Sequence, residues 1–145
     1  MKKFVFSLAF AVCVVVTGTS AFAQQSGGLK VEFQGPGGHS SGAYGRVSAL
    51  HAAARAVILI QKALPSGSYQ ITNLTGGNSV NSIASDGLIE LRLNASNAAS
   101  YKELVEAVTK AAAEGAAAEN AFRGVKAGDL TAGAPATVRS KVTPF

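Results

Sequence analysis

Two short stretches hold most of the side chains that could do chemistry. The first is Gly35-Pro36-Gly37-Gly38-His39-Ser40-Ser41-Gly42, leading into Arg46-Val47-Ser48-Ala49-Leu50-His51, and the second is Gly76-Gly77-Asn78-Ser79-Val80-Asn81-Ser82-Ile83. An imidazole such as His39 can move a proton or aim an N–H at developing negative charge, and on a glycine loop it can equally do no more than fasten that loop. The Asn81 amide can both donate and accept, as a polar ligand requires, or it can pin a turn between strands. His51 follows 12 residues after His39 and reads as a polar surface or contact residue.

Other chemistries are excluded by what surrounds these residues. The glycine-rich loop lacks the Gly-Lys-Ser/Thr ending of a phosphate-binding loop and the spacing of a dinucleotide fold. Ser40 and Ser41 follow His39 directly, but no Gly-x-Ser-x-Gly elbow or triad spacing accompanies them. The single cysteine, Cys13, lies in an apolar N-terminal run and reads as filler. The chain has 13 Lys and Arg against 8 Asp and Glu, scattered without basic blocks or interleaved aromatics, so nucleic acid is not an expected partner. Asn73-Leu74-Thr75 and Asn94-Ala95-Ser96 match the glycosylation pattern, which is common by chance.

The elements that must position these residues follow from periodicity. Residues 1–23 read as a signal peptide: Lys2 and Lys3, an apolar stretch from Phe4 to Val16, and a small-x-small site at Ala21-Phe22-Ala23. The apolar stretch is short for a membrane span. Cleavage after Ala23 implies a secreted or periplasmic protein with no membrane association. About 120 residues then remain, enough for one domain with its own core.

Leu29 to Phe33 alternates as a half-buried strand should, and Gly35 to Gly38 stops it, the loop continuing through Gly42 and Gly45. Ser48 is placed to cap a helix that runs to Leu64 and is closed by Pro65. Tyr69 to Leu74 and Gly87 to Leu93 read as strands. Ser100 and Glu103 match a capping box for a second helix reaching about Asn120, with Gly115 as its weak point. Val125 to Leu130 is the expected last strand and residues 131–145 a flexible tail. The order strand, helix, strand, strand, helix, strand predicts an α+β, ferredoxin-like split βαβ sandwich over residues 24–130, two helices covering a four-stranded antiparallel sheet. Val57, Ile58, Leu59 and Ile60 are consecutive and point all round the first helix. Either the packing face is wide, or a second face, with Val57, Leu59 and Ile60, is buried in a homodimer.

Both motif stretches, in this element order, resemble the lid or dimerisation domain of the co-catalytic zinc peptidases, which include carnosinases, aminoacylases, acetylornithine deacetylase and succinyl-diaminopimelate desuccinylase. The resemblance spans roughly Leu29 to Leu130. It implies that the sheet edge and first helix pair two subunits. It implies further that His39 would reach a neighbouring active site as an oxyanion contact, and that Asn81 would bind the carboxylate side of a substrate.

The chain departs from that pattern in three places. Ala84 stands where the family has proline after Asn-x-Ile. Arg92-Leu93-Asn94 stands where the family has Asp-x-Arg, so the guanidinium fork that grips a carboxylate is missing from its position. Arg92, roughly 6.6 Å back along the same strand face, either compensates or faces solvent. Finally, two close zinc ions need about five His, Asp and Glu ligands, and the chain has two histidines, no His-x-Asp and no Glu-Glu pair.

These readings give an exported, stand-alone dimerisation domain with no metal site or cofactor of its own. Two alternatives stand beside it: an accessory subunit supplying His39 in trans to a separately encoded zinc peptidase subunit, and a small periplasmic module binding a peptide or amino acid in a His39 and Asn81 groove. Metal analysis of the purified protein is expected to find no stoichiometric zinc, and an assay with added zinc no dipeptide hydrolysis. Tight zinc binding with chelator-sensitive turnover would contradict the ligand count.

Overall fold

The computed structural model describes residues 23–39, 41, 42 and 46–145. The signal-peptide reading of residues 1–23 therefore falls almost wholly outside the described residues, as do Cys13, Ser40 and Gly45. The chain order is β1 (Gln25–Gln34), β2 (Gly38–His39), α1 (Ala49–Ala63), β3 (Tyr69–Thr75), β4 (Ser82–Ile83), β5 (Asp86–Ala95), α2 (Ala98–Phe122), β6 (Leu130–Thr131), β7 (Ala134–Pro135) and β8 (Arg139–Pro144).

Four strands build one antiparallel sheet in the order β3-β5-β1-β8. Counted along the chain this is 2-3-1-4, the order a split βαβ fold produces when each helix crosses over the same face. The expected ferredoxin-like α+β architecture is therefore the observed one. Leu29, Val31 and Phe33 of β1 and Ile89, Leu91 and Leu93 of β5 point to the helical face and are buried. Glu32, Arg92 and Asn94 project from the other face and are exposed. That alternation leaves one side of the sheet to solvent.

α1 is bounded as its sequence predicts. Ser48 Oγ accepts from the His51 N–H at 3.3 Å, and the Leu64 N–H at the other end donates to Ile60 O at 2.9 Å, just before Pro65. α2 begins earlier than expected. Asn97, not Ser100, is the cap, its side-chain oxygen accepting from the Ser100 N–H at 2.9 Å. The asparagine meets the free donor first, and Ala98 and Ala99 favour helix, so no turn is left for the capping box.

Gly115 does not weaken α2, because it is where the two helices touch. A Cβ there would lie 2.8 Å from Ala52 O, Ala56 N and Ala56 Cβ. Facing it are Ala52, Ala53 and Ala56, with Ala111, Ala112 and Ala116 alongside, all buried. Small side chains on both helices permit this close approach.

The fourth strand is not where alternation placed it. Val125 to Asp129 forms turns: the Lys126 N–H donates to Asp129 Oδ2 at 2.7 Å, the Asp129 N–H to Lys126 O at 3.1 Å, and Gly128 has a φ of 92°. An aspartate closing a loop on its own backbone competes with strand pairing. The expected flexible tail supplies the strand, with β8 pairing to β1 from Leu29 opposite Pro144 to Gln34 opposite Arg139. Asn120 aligns it by donating through Nδ2 to Val138 O at 3.0 Å and accepting the Val138 N–H at 2.8 Å.

Of the consecutive apolar residues of α1, Ile60 is fully buried in the domain's own core. It is therefore withdrawn from the expected dimer contacts. Val57 and Leu59 are partly buried against the core, and Ile58 is 52% exposed. No described helix is long and apolar enough to cross a membrane.

Candidate functional site

The two motif stretches meet at the loop end of the domain. β2 and β4 form a two-residue antiparallel ladder, Gly38 opposite Ile83 and His39 opposite Ser82, and this sets Asn81 beside His39. The loop before β4 lies close on the sheet: a Cβ on Gly76 would stand 2.5 Å from Asp86 O. Only glycine allows this approach of two backbones.

His39 is exposed, and its ring is held at Nδ1 by Ser41. Nδ1 accepts the Ser41 N–H at 3.2 Å and lies 2.7 Å from Ser41 Oγ, while Nε2 lies 3.2 Å from the Asn81 side-chain amide. Asn81 Oδ1 accepts in turn from Ser79 Oγ at 2.6 Å. Sequence reasoning did not foresee a serine hydroxyl at the imidazole. The ring's far nitrogen nevertheless meets an amide and not a carboxylate, so an imidazolium formed by taking the Ser41 proton would lack the anion that stabilises it in a hydrolytic triad. The arrangement suits hydrogen bonding to a polar group better than nucleophilic attack.

These bonds lie in solvent, so His39→Ala should lower stability by less than about 1 kcal/mol. A melting curve checks this, and a larger loss would mean the ring holds the glycine loop in place.

Arg92 does not join this pair. It is exposed on the open face of the sheet, opposite Gly28 and Gln70, six residues along β5 from Asp86, roughly 20 Å at strand rise. Of the three expected binding residues the fold unites His39 and Asn81 and leaves Arg92 apart. Among the described residues no three His, Cys, Asp or Glu side chains gather where they could hold a metal ion.

A second cluster, not foreseen from the sequence, is centred on Glu119. Its side chain is fully buried. Oε1 accepts from the Ser48 N–H at 3.1 Å and Arg123 Nε at 3.2 Å, and Oε2 from Arg55 Nε at 3.1 Å. His51 Nδ1 lies 3.7 Å from Oε1. Both guanidinium groups stand 5.0 Å from the Phe122 ring centroid. Burial raises the carboxyl's pKa, but the Ser48 N–H, the hydrogen bonds from Arg55 and Arg123, and the charge of Arg123 together outweigh it and hold the group below its ordinary value. Its signal was helical spacing: Glu119 continues the buried row Leu104, Val108, Ala111, Ala112, Gly115 and Ala116.

An open groove of about 700 Å³ runs between the first turn of α1, the loop from Gly76 to Val80, and Arg123. Its size is that of a small-molecule cleft.

Residues 24–120 match the family model described as peptidase dimerisation domain. No curated protein matches the chain. Among solved structures, the fold is similar to an aminobenzoyl-glutamate utilization protein from Klebsiella pneumoniae, at 18% identity and a TM-score of 0.65, over 86% of this chain and 28% of that one. It is similar also to a hydantoinase/carbamoylase family amidase from Burkholderia ambifaria, at 20% identity and 0.66, over 86% and 28%. A tripeptidase from Staphylococcus aureus matches at 17% identity and 0.61, over 83% and 29%. The chain thus spans less than a third of each of these proteins.

Proposed function

The chain belongs to the peptidase dimerisation domain family, and from that premise we propose that it is a homodimerisation module that works outside the cytoplasm. The observation that carries this reading is the contrast between the two sheet edges. β8 presents Arg139, Lys141 and Pro144, residues that discourage strand addition. β3 presents Tyr69-Gln70-Ile71-Thr72-Asn73-Leu74-Thr75 and no charge. Leu74 is 43% exposed on β3 and Ile58 is 52% exposed on the neighbouring helix, with Val57 and Leu59 partly buried beside it.

A second copy related by a two-fold axis could continue the sheet across β3 and cover that apolar flank. Export rests on the basic start, apolar run and Ala21-Phe22-Ala23 site of the N-terminal residues.

Sedimentation of the protein without residues 1–23 should give a dimer. Ile58→Glu should weaken it by at least about 100-fold, since a desolvated unpaired charge at an interface costs several kcal/mol, and leave the circular dichroism spectrum unchanged. A wild type that is monomeric at high concentration would end the proposal. A separately encoded zinc subunit is the second reading, favoured by the exposure of His39 beside Asn81 and opposed by the separation of Arg92. Restored hydrolysis on mixing with such a subunit would support it.

A further inference from the structure

The groove beside α1 has cations in its wall and, among the described residues, no carboxylate. Arg46, His51 and Arg123 line it together with Asn78 and Ser79, while Leu50, Val80 and Ile83 give it an apolar side. Arg123 is fixed in place, since its Nε donates to Glu119 at 3.2 Å and its guanidinium lies over Phe122. The single charge of Glu119 is shared between Arg55 and Arg123, so that cluster keeps one net positive charge.

Arg46 adds a second. Its Nη1 donates to Gly37 O at 3.3 Å, a carbonyl and not a carboxylate. Asp129 lines an adjoining groove with Arg46 and Arg123. Its Oδ2 is engaged by the Lys126 N–H at 2.7 Å, and among the described residues no ion pair joins it to Arg46.

The geometry points to an oxyanion-binding groove that takes a small ligand carrying a carboxylate or phosphate. Arg46 grips the anion, Arg123 supplies a fixed positive field behind it, and Asn78 and Ser79 offer hydrogen bonds. The apolar side suits a short aliphatic portion, and a volume of about 700 Å³ admits a molecule no larger than an ordinary metabolite. A guanidinium facing a carboxylate or phosphate can make two parallel hydrogen bonds that an amide ligand cannot match in strength. This site does not depend on dimerisation.

The test is a nuclear magnetic resonance titration of the protein with isocaproate, with its uncharged amide, and with inorganic phosphate, reading the backbone amides of Gly76, Gly77 and Ser79. Saturable shifts with isocaproate and none with the amide are expected, and Arg46→Gln should weaken binding by about tenfold. Arg46→Lys should recover part of the loss. Saturation by phosphate without isocaproate would support the site and assign it to phosphate esters.

No saturation by either anion up to about 50 mM, equal binding of acid and amide, or full affinity in Arg46→Gln would overturn it. Should that variant not fold, the comparison of acid with amide on the wild type still decides. A monomeric protein that binds isocaproate would reject the dimer and keep the groove.

Discussion

Replacing Glu119 by alanine should cost the fold about 3 kcal/mol, measured as a drop in the chemical denaturation midpoint at pH 7. Removing one partner of a buried ion pair typically costs about 3–5 kcal/mol. Here the Arg55 and Arg123 side chains are 37% and 25% exposed and can recover some hydration, which argues for the low end of that range. The Ser48 N–H at the start of α1 cannot recover it, because Ser48 is itself buried and its donor would be orphaned.

The pH dependence has a definite sign. The folded carboxyl titrates below its ordinary 4.5, so the unfolded chain takes up the proton first as pH falls. Its contribution to stability is complete above the unfolded value and disappears as pH drops through the folded one. Wild-type stability should therefore fall below about pH 4.5, and Glu119→Gln should flatten that part of the curve. An unchanged curve in Glu119→Gln would show that other carboxylates drive acid unfolding.

Gly115→Val should be equally damaging, by about 3 kcal/mol or more. Overpacked cores ordinarily lose about 1–3 kcal/mol, and here two of the three obstructing atoms, Ala52 O and Ala56 N, belong to backbone that cannot rotate away. Gly115→Ala is the informative companion. In a free helix it would gain about 1 kcal/mol, yet a methyl 2.8 Å from α1 must push the helices apart. A net loss of stability in Gly115→Ala would confirm that helix contact, not helix propensity, selects glycine. A gain would mean that the interface yields.

The parts of the fold legible in the sequence were those governed by local chemistry. Ser48 and Pro65 bound α1 because a hydroxyl cap and a missing N–H act within a few residues. β1, β3 and β5 are seen in alternation because one face of each is buried. The glycine loops that join His39 to Asn81 were visible as motifs, although their contact is made by a ladder of only two residue pairs.

What was hidden depends on distant partners. Val125 to Leu130 alternates as well as β8 does, and it loses because Asp129 closes a turn locally while Asn120 offers Val138 both a donor and an acceptor. Gly115 looked like a flaw because the Ala52 and Ala56 backbone it meets lies some sixty residues earlier. Glu119 could have been found, since it sits on the apolar row of α2, but its partners are Ser48, the cap of α1, and Arg55 within α1. Arg92 was close to Asn81 in sequence, and the length of β5 carries it away.

The position of β8 also bears on how the chain reaches its native state. β1 lies between β5 and β8, and Leu29 pairs with Pro144, about 115 positions further along the chain. Contacts so far apart in sequence form late, because the loop between them must close before they contribute anything. Until β8 docks, the backbone of β1 offers one flank of unpaired donors and acceptors, next to Leu29, Val31 and Phe33. A nascent chain in that state is adhesive towards other strands. Until β8 covers that edge of β1, the partly folded sheet is a substrate for a holding chaperone.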